Sequence, residues 1–210
     1  WGDEPIVHIV PRDWNNWKKG DAVGVWVYSS ESAVELFING RSLGKKSNDR
    51  QDHVEWKVEF EDGDLTAKAF RNGSLIAVDN VSTSGSPSKI EVRIEVGGTF
   101  IANGQDVAIL RAIIVDSKGI PHPTANNLIE FNATGPGKIS GVGNGDPNDH
   151  DPAKSTRKRA FNGQCIGILK SERNQPGTIK VKISSKGLVS STISLTSKPI
   201  PKHHPLFHSV

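Results

Sequence analysis

The densest run of hard oxygen donors in this chain is Asn144, Asp146, Asn148, Asp149 and Asp151, all within eight residues. Carboxylate and amide oxygens at that density are the donors that hold Ca²⁺. The spacing lacks the closing glutamate of an EF-hand loop, and Asp, Asn, Gly and Pro are also what long turns are made of. The cluster therefore reads first as a turn and second as a Ca²⁺ site, and no other cofactor is indicated. Arg157-Lys-Arg159 follows it and would pair with the same aspartates. Beside such acidic neighbours the trio makes a poor phosphate track, which argues against a nucleic-acid partner.

A second group is aromatic: Trp14, Asn15, Asn16, Trp17, Trp26 and Tyr28. Flat rings with amide neighbours suit stacking on a sugar ring, and they equally suit packing against another protein domain. A large exposed apolar patch is rare on a free monomer, so the domain contact is the favoured reading. The single cysteine, Cys165, sits in an alternating apolar run with no activating neighbour in sequence, and reads as a small core residue. His203 and His204 fall in the proline-rich Lys198–Pro205 stretch, which reads as an extended tail rather than a metal site.

The elements that must position these groups are strands. Val54, Trp56, Val58 and Phe60 alternate with His53, Glu55, Lys57 and Glu59, the pattern of a half-buried antiparallel strand. Val23, Val25 and Val27 form a second inner row, which turns Trp26 and Tyr28 outward. Asn39-Gly40 and Asn72-Gly73 each supply the two positive-φ residues of a type I′ hairpin turn. Further on, Ile90, Val92 and Ile94 alternate with charged residues, as do Ile179, Val181 and Ile183. Val107–Val115 is apolar at nearly every position and predicts a central strand covered on both faces.

Ser84-Gly-Ser-Pro-Ser88 divides the chain. All five Trp and the only Tyr precede it. Residues 1–86 hold ten basic and fourteen acidic side chains, net −4, and residues 87–210 hold sixteen and nine, net +7. With 21 Gly, 12 Pro and little helical spacing, the expectation is an all-β chain of two consecutive immunoglobulin-like antiparallel β-sandwich domains, 1–86 and 87–200, with a tail over 201–210. No apolar run reaches the roughly 18 residues that span a bilayer, so no membrane insertion is expected. The absence of Met reads as a part of a longer polypeptide.

Two stretches carry a family likeness: Val34-Glu-Leu-Phe-Ile-Asn-Gly-Arg-Ser-Leu-Gly44 and Ile139-Ser-Gly-Val-Gly-Asn-Gly-Asp-Pro147. With Pro11–Trp17, Val23–Tyr28, Asp64–Gly73, Ile101–Asp106 and Arg159–Gly163, they resemble the fourth and fifth, C-terminal immunoglobulin-like domains of bacterial glycoside hydrolase family two β-galactosidases. Arg12-Asp13 stands where the family carries a His before its first Trp. The resemblance implies a parent glycosidase of carbohydrate degradation, periplasmic or secreted, whose catalytic pair of glutamates lies on a (β/α)₈ barrel of about 250 residues, more than this chain can hold. It implies a noncatalytic accessory region with no catalytic residues of its own, partnered by the barrel and other domains, bordering the substrate entrance and touching oligosaccharide or polysaccharide. The alternative is an autonomous carbohydrate-binding module.

Overall fold

The computed structural model describes residues 4–48 and 53–201; His203 and His204 lie outside them. Every regular element among the described residues is a β-strand, and the chain forms two compact units that divide between Ser84 and Gly85. Both are antiparallel β-sandwiches of the immunoglobulin-like kind.

The first unit contains β1 (Val7–Val10), β2 (Ala22–Ser29), β3 (Ala33–Ile38), β4 (Arg41–Ser47), β5 (His53–Glu59), β6 (Asp64–Arg71) and β7 (Ser74–Ser82). One sheet runs β1-β2-β5 and the other β4-β3-β6-β7. Alternation decides which residues meet between them: Val23, Val25 and Val27 from β2, Val34, Leu36 and Ile38 from β3, and Trp56 from β5 are all buried. The β3–β4 and β6–β7 turns close on Asn39-Gly40 (φ 49° and 79°) and Asn72-Gly73 (φ 51° and 82°), the left-handed pair that a type I′ turn requires.

The second unit contains β8 (Lys89–Val96), β9 (Val107–Val115), β10 (Leu128–Thr134), β11 (Gly137–Gly143), β12 (Arg157–Arg159), β13 (Gln164–Ser171), β14 (Gly177–Ser184) and β15 (Ser191–Ser197). Its sheets run β12-β10-β14-β15 and β11-β13-β9-β8. Leu110, Ile114, Ile129, Phe131, Leu169, Ile179 and Ile183 fill the space between them, with Cys165 buried beside them. The β9 expectation holds on one face only. Ala108, Leu110, Ala112 and Ile114 are buried, whereas Ile109, Arg111 and Ile113 are half-buried and Val107 is exposed. On that face the register neighbours of Ile109 and Ile113 are Glu95 and Glu91 of β8 and Ile168 and Gln164 of β13.

Candidate functional site

The outer face of the β1-β2-β5 sheet gathers the exposed aromatics. Trp26 and Tyr28 keep 42% and 38% of their surface in solvent. Register fixes their neighbours: His8 and His53 lie opposite Tyr28, and Val10 and Glu55 lie opposite Trp26. The His53 ring stands between the two aromatics, 5.1 Å from the Trp26 ring and 5.4 Å from that of Tyr28. Three flat rings thus share one pleated surface, spaced as cross-strand and diagonal neighbours.

The rim of this face is pinned by polar bonds. Asp79 on β7 accepts the Ile9 N–H (2.8 Å) and an Arg12 guanidinium N–H (2.5 Å), which ties β1 to the opposite sheet. Lys46 donates to the Glu55 carbonyl oxygen (2.7 Å) while its ammonium lies 5.0 Å from the Trp56 ring.

The other members of the aromatic group do not join this face. Trp14 is fully buried, with its ring 5.1 Å from Phe60 and its indole N–H donating to the Glu61 carbonyl oxygen at 3.3 Å. It has no exposed surface to offer a ligand. The turn at Asp13, whose carbonyl oxygen accepts the Asn15 and Asn16 amides, swings the ring inward onto the end of β5. Asn15 is spent on the backbone, donating to Ser84 O (2.8 Å) and accepting from Ser84 N–H (3.0 Å), and Asn16 donates to the Asp13 carboxylate. Trp17 packs half-buried against the core. His8 and His53 are the residues that the aromatic pattern did not single out. The outward phase of β5 already placed His53 on the solvent side; only register sets both rings beside Tyr28.

The Asn144–Asp151 loop supplies its own cation. The Lys158 ammonium, nearly buried, sits 2.9 Å from Asp149 and donates to the Asp151 carbonyl oxygen (2.9 Å). Asn144 donates to Asp149 (2.6 Å), Asp146 accepts from Asn148 N–H (2.9 Å), and Asp149 accepts from Asp151 N–H (2.8 Å). These are turn-forming bonds. Among the described residues no three His, Cys, Asp or Glu side chains converge as a metal-holding group. Of Arg157-Lys-Arg159, the middle residue makes the pairing, because strand alternation turns only Lys158 inward.

Comparison with known proteins now identifies the fold. Residues 97–194 match the family model for glycoside hydrolase family 2 C-terminal domain 5, and residues 20–77 match a domain of unknown function. A β-galactosidase of Bacteroides ovatus is 32% identical over 202 residues, 95% of this chain and 23% of that protein. A crystal structure of a β-glycosidase from Bacteroides vulgatus superposes with a TM-score of 0.86 at 30% identity, over 93% of this chain and 25% of that one. The chain belongs to the C-terminal region of glycoside hydrolase family 2. A β-glucuronidase of Formosa agariphila is 28% identical over 206 residues, 95% of this chain and 20% of that enzyme. The chain therefore spans about a quarter of the length of the relatives it matches.

Within this family 2 region the perturbed carboxylates shift in one direction. Glu31, buried in the turn between β2 and β3, takes a two-toothed grip from Arg71 (2.6 and 2.7 Å), which holds its carboxyl below the usual range. Asp116 is lowered by backbone N–H donors from Gly85 and Ile120, and Asp149 by Lys158. A glycosidase acid must instead be raised, so that it carries a proton near neutrality. Burial pushes the Cys165 thiol up to about 12, far from a reactive thiolate. Among the described residues no helix is long and apolar enough to cross a membrane.

Proposed function

We propose that this family 2 C-terminal region is a noncatalytic accessory part of a β-galactosidase- or β-glucuronidase-class exo-glycosidase, and that it braces the parent's catalytic domain beside the substrate entrance. The observation that carries the reading is the Trp26–Tyr28–His53 face. Solvent-facing rings on a flat sheet are the side chains that dominate protein–protein contacts, and here they sit on a chain that makes up a quarter of its relatives. The downward shifts at Glu31, Asp116 and Asp149 support it, because those carboxylates are tuned for holding loops and strands rather than for donating protons. The parent's place outside the cytoplasm, periplasmic or secreted, is part of the same reading and rests on the family's work on external glycans.

The test has two arms. The isolated chain, given aryl β-galactoside and aryl β-glucuronide, is expected to release no aglycone above the buffer blank. In the intact parent, the double substitution Trp26→Ala with Tyr28→Ala is expected to lower the melting temperature of the catalytic domain. Hydrolysis by the isolated chain that vanishes with one of its own carboxylates would refute the reading. Saturable binding of a neutral galactan that Trp26→Ala abolishes would replace it with an autonomous carbohydrate-binding module.

A further inference from the structure

We propose that the outer face of the β12-β10-β14-β15 sheet binds a carboxylate-bearing polysaccharide, a uronic-acid polymer. Strand alternation puts Arg157, Arg159, Lys180 and Lys182 on this face, and Lys186 follows in the turn after β14. All five are exposed, and none of their head groups makes an ion pair or a side-chain hydrogen bond among the described residues. Other cations are divided: Arg12, Arg41, Arg71, Lys89, Arg111 and the inward Lys158 each hold a carboxylate, while Lys18, Lys57, Arg93 and Lys118 hold none among the described residues, so what this face adds is the gathering of five on one surface. The only acid on these four strands is Glu130, opposite Arg157 in the register but not in ion-pair contact with it. Same-face neighbours stand about 7 Å apart along each strand, and β10 separates the β12 pair from the β14 pair by about 10 Å or more, so the five cations spread one positive potential over the face.

Chemistry narrows what such a face takes. Besides Glu130 and the half-buried Leu128, its other outward positions are amides and hydroxyls, among them Asn132, Thr134, Thr192 and Ser194. It presents no aromatic ring, whereas protein-docking centres are rich in aromatics and poor in lysine. Single-stranded nucleic acid needs stacking rings, and a duplex needs an element that enters a groove; a flat sheet supplies neither. Hydroxyls and amides beside spread cations match a chain of acidic sugars, which offers hydroxyls and carboxylates at every unit. At one end of the face lies a shallow depression, open to solvent, lined by Asn126, Asn127, Leu128, Glu130, Arg159 and Lys186. There the forked Arg159 guanidinium can take a carboxylate through two parallel bonds.

This assignment goes beyond the bracing role and uses none of its residues, so each can fail without the other. Affinity electrophoresis of the 210-residue chain through gels containing polygalacturonate, uncharged dextran or duplex DNA tests it. Polygalacturonate alone is expected to retard the chain, with retardation fading as salt rises from about 20 to 300 mM. Lys180→Gln with Lys182→Gln, and separately Arg159→Gln, should each weaken binding by about tenfold at low salt, with unchanged unfolding midpoints because these positions are exposed. Lys18→Gln with Lys19→Gln on the other unit controls for net charge and should bind as the wild type does. No retardation at about 20 mM salt, equal weakening by the control pair, or equally tight binding to duplex DNA would each overturn the proposal.

Discussion

Trp14 and Trp26 lie twelve residues apart and carry the same side chain, yet the structure assigns them opposite energetic roles. Trp14 is fully buried, in ring contact with Phe60, and its indole N–H is used on Glu61. Truncation to alanine removes its burial and opens a ring-sized void, a loss of about 3–5 kcal/mol. Trp26 keeps 42% of its surface in water, so its truncation should cost about 1 kcal/mol or less. With a urea slope near 1 kcal/mol/M for a unit this small, Trp14→Ala should lower the urea midpoint by about 3 M or more, or leave the unit unfolded at once. Trp26→Ala should move it by about 1 M at most. The assay is built into the sequence: all five Trp precede residue 85, so tryptophan fluorescence follows the first unit alone. If Trp26→Ala proves the more damaging of the two, the assignment of Trp14 to the core and Trp26 to an outward contact face is wrong.

Three further outcomes follow from the packing and the charges. Glu31 is lowered by Arg71, so the stability it confers is fully present above its unfolded pKa, near 4.5, and is lost as pH falls toward its depressed folded value; Glu31→Gln should flatten the first unit's midpoint-against-pH curve below about pH 4.5 and lower the plateau above it, read by tryptophan fluorescence in urea. Gly167→Ala would place a methyl carbon 2.7 Å from the Phe131 ring and should cost the second unit about 1–3 kcal/mol. That unit is followed through Cys165, the single buried thiol, which should resist a thiol reagent at pH 8 in the native state and label only as the unit unfolds in urea. In the same labelling assay, about 5 mM Ca²⁺ should leave the wild-type midpoint in place, whereas Lys158→Met should lower it, because Asp149 then loses the cation that its loop is built around.

The sequence by itself determined the strand class and most of the faces. Period-two alternation puts the Val23-Val25-Val27 and Val54-Trp56-Val58 rows inside and turns Trp26, Tyr28 and His53 outward, and the Asn-Gly pairs allow few turns besides type I′, because only residues that tolerate positive φ can occupy both central positions. What alternation cannot supply is position outside a strand. Trp14 precedes β2 in an irregular turn, where no period links residue number to direction, so only tertiary packing on Phe60 decided that it is core. Register was equally beyond reach: the meeting of His8, Tyr28 and His53 depends on how three separate strands align, and a one-residue slip would have reversed every face. The same holds for the Asn144–Asp151 loop and for the basic sheet face. Sequence shows the ions present, but distance and solvent exposure decide that Lys158 is consumed as an internal counter-ion while Arg157, Arg159, Lys180 and Lys182 remain unspent, since Coulomb attraction and desolvation act on through-space separations that a linear chain does not encode.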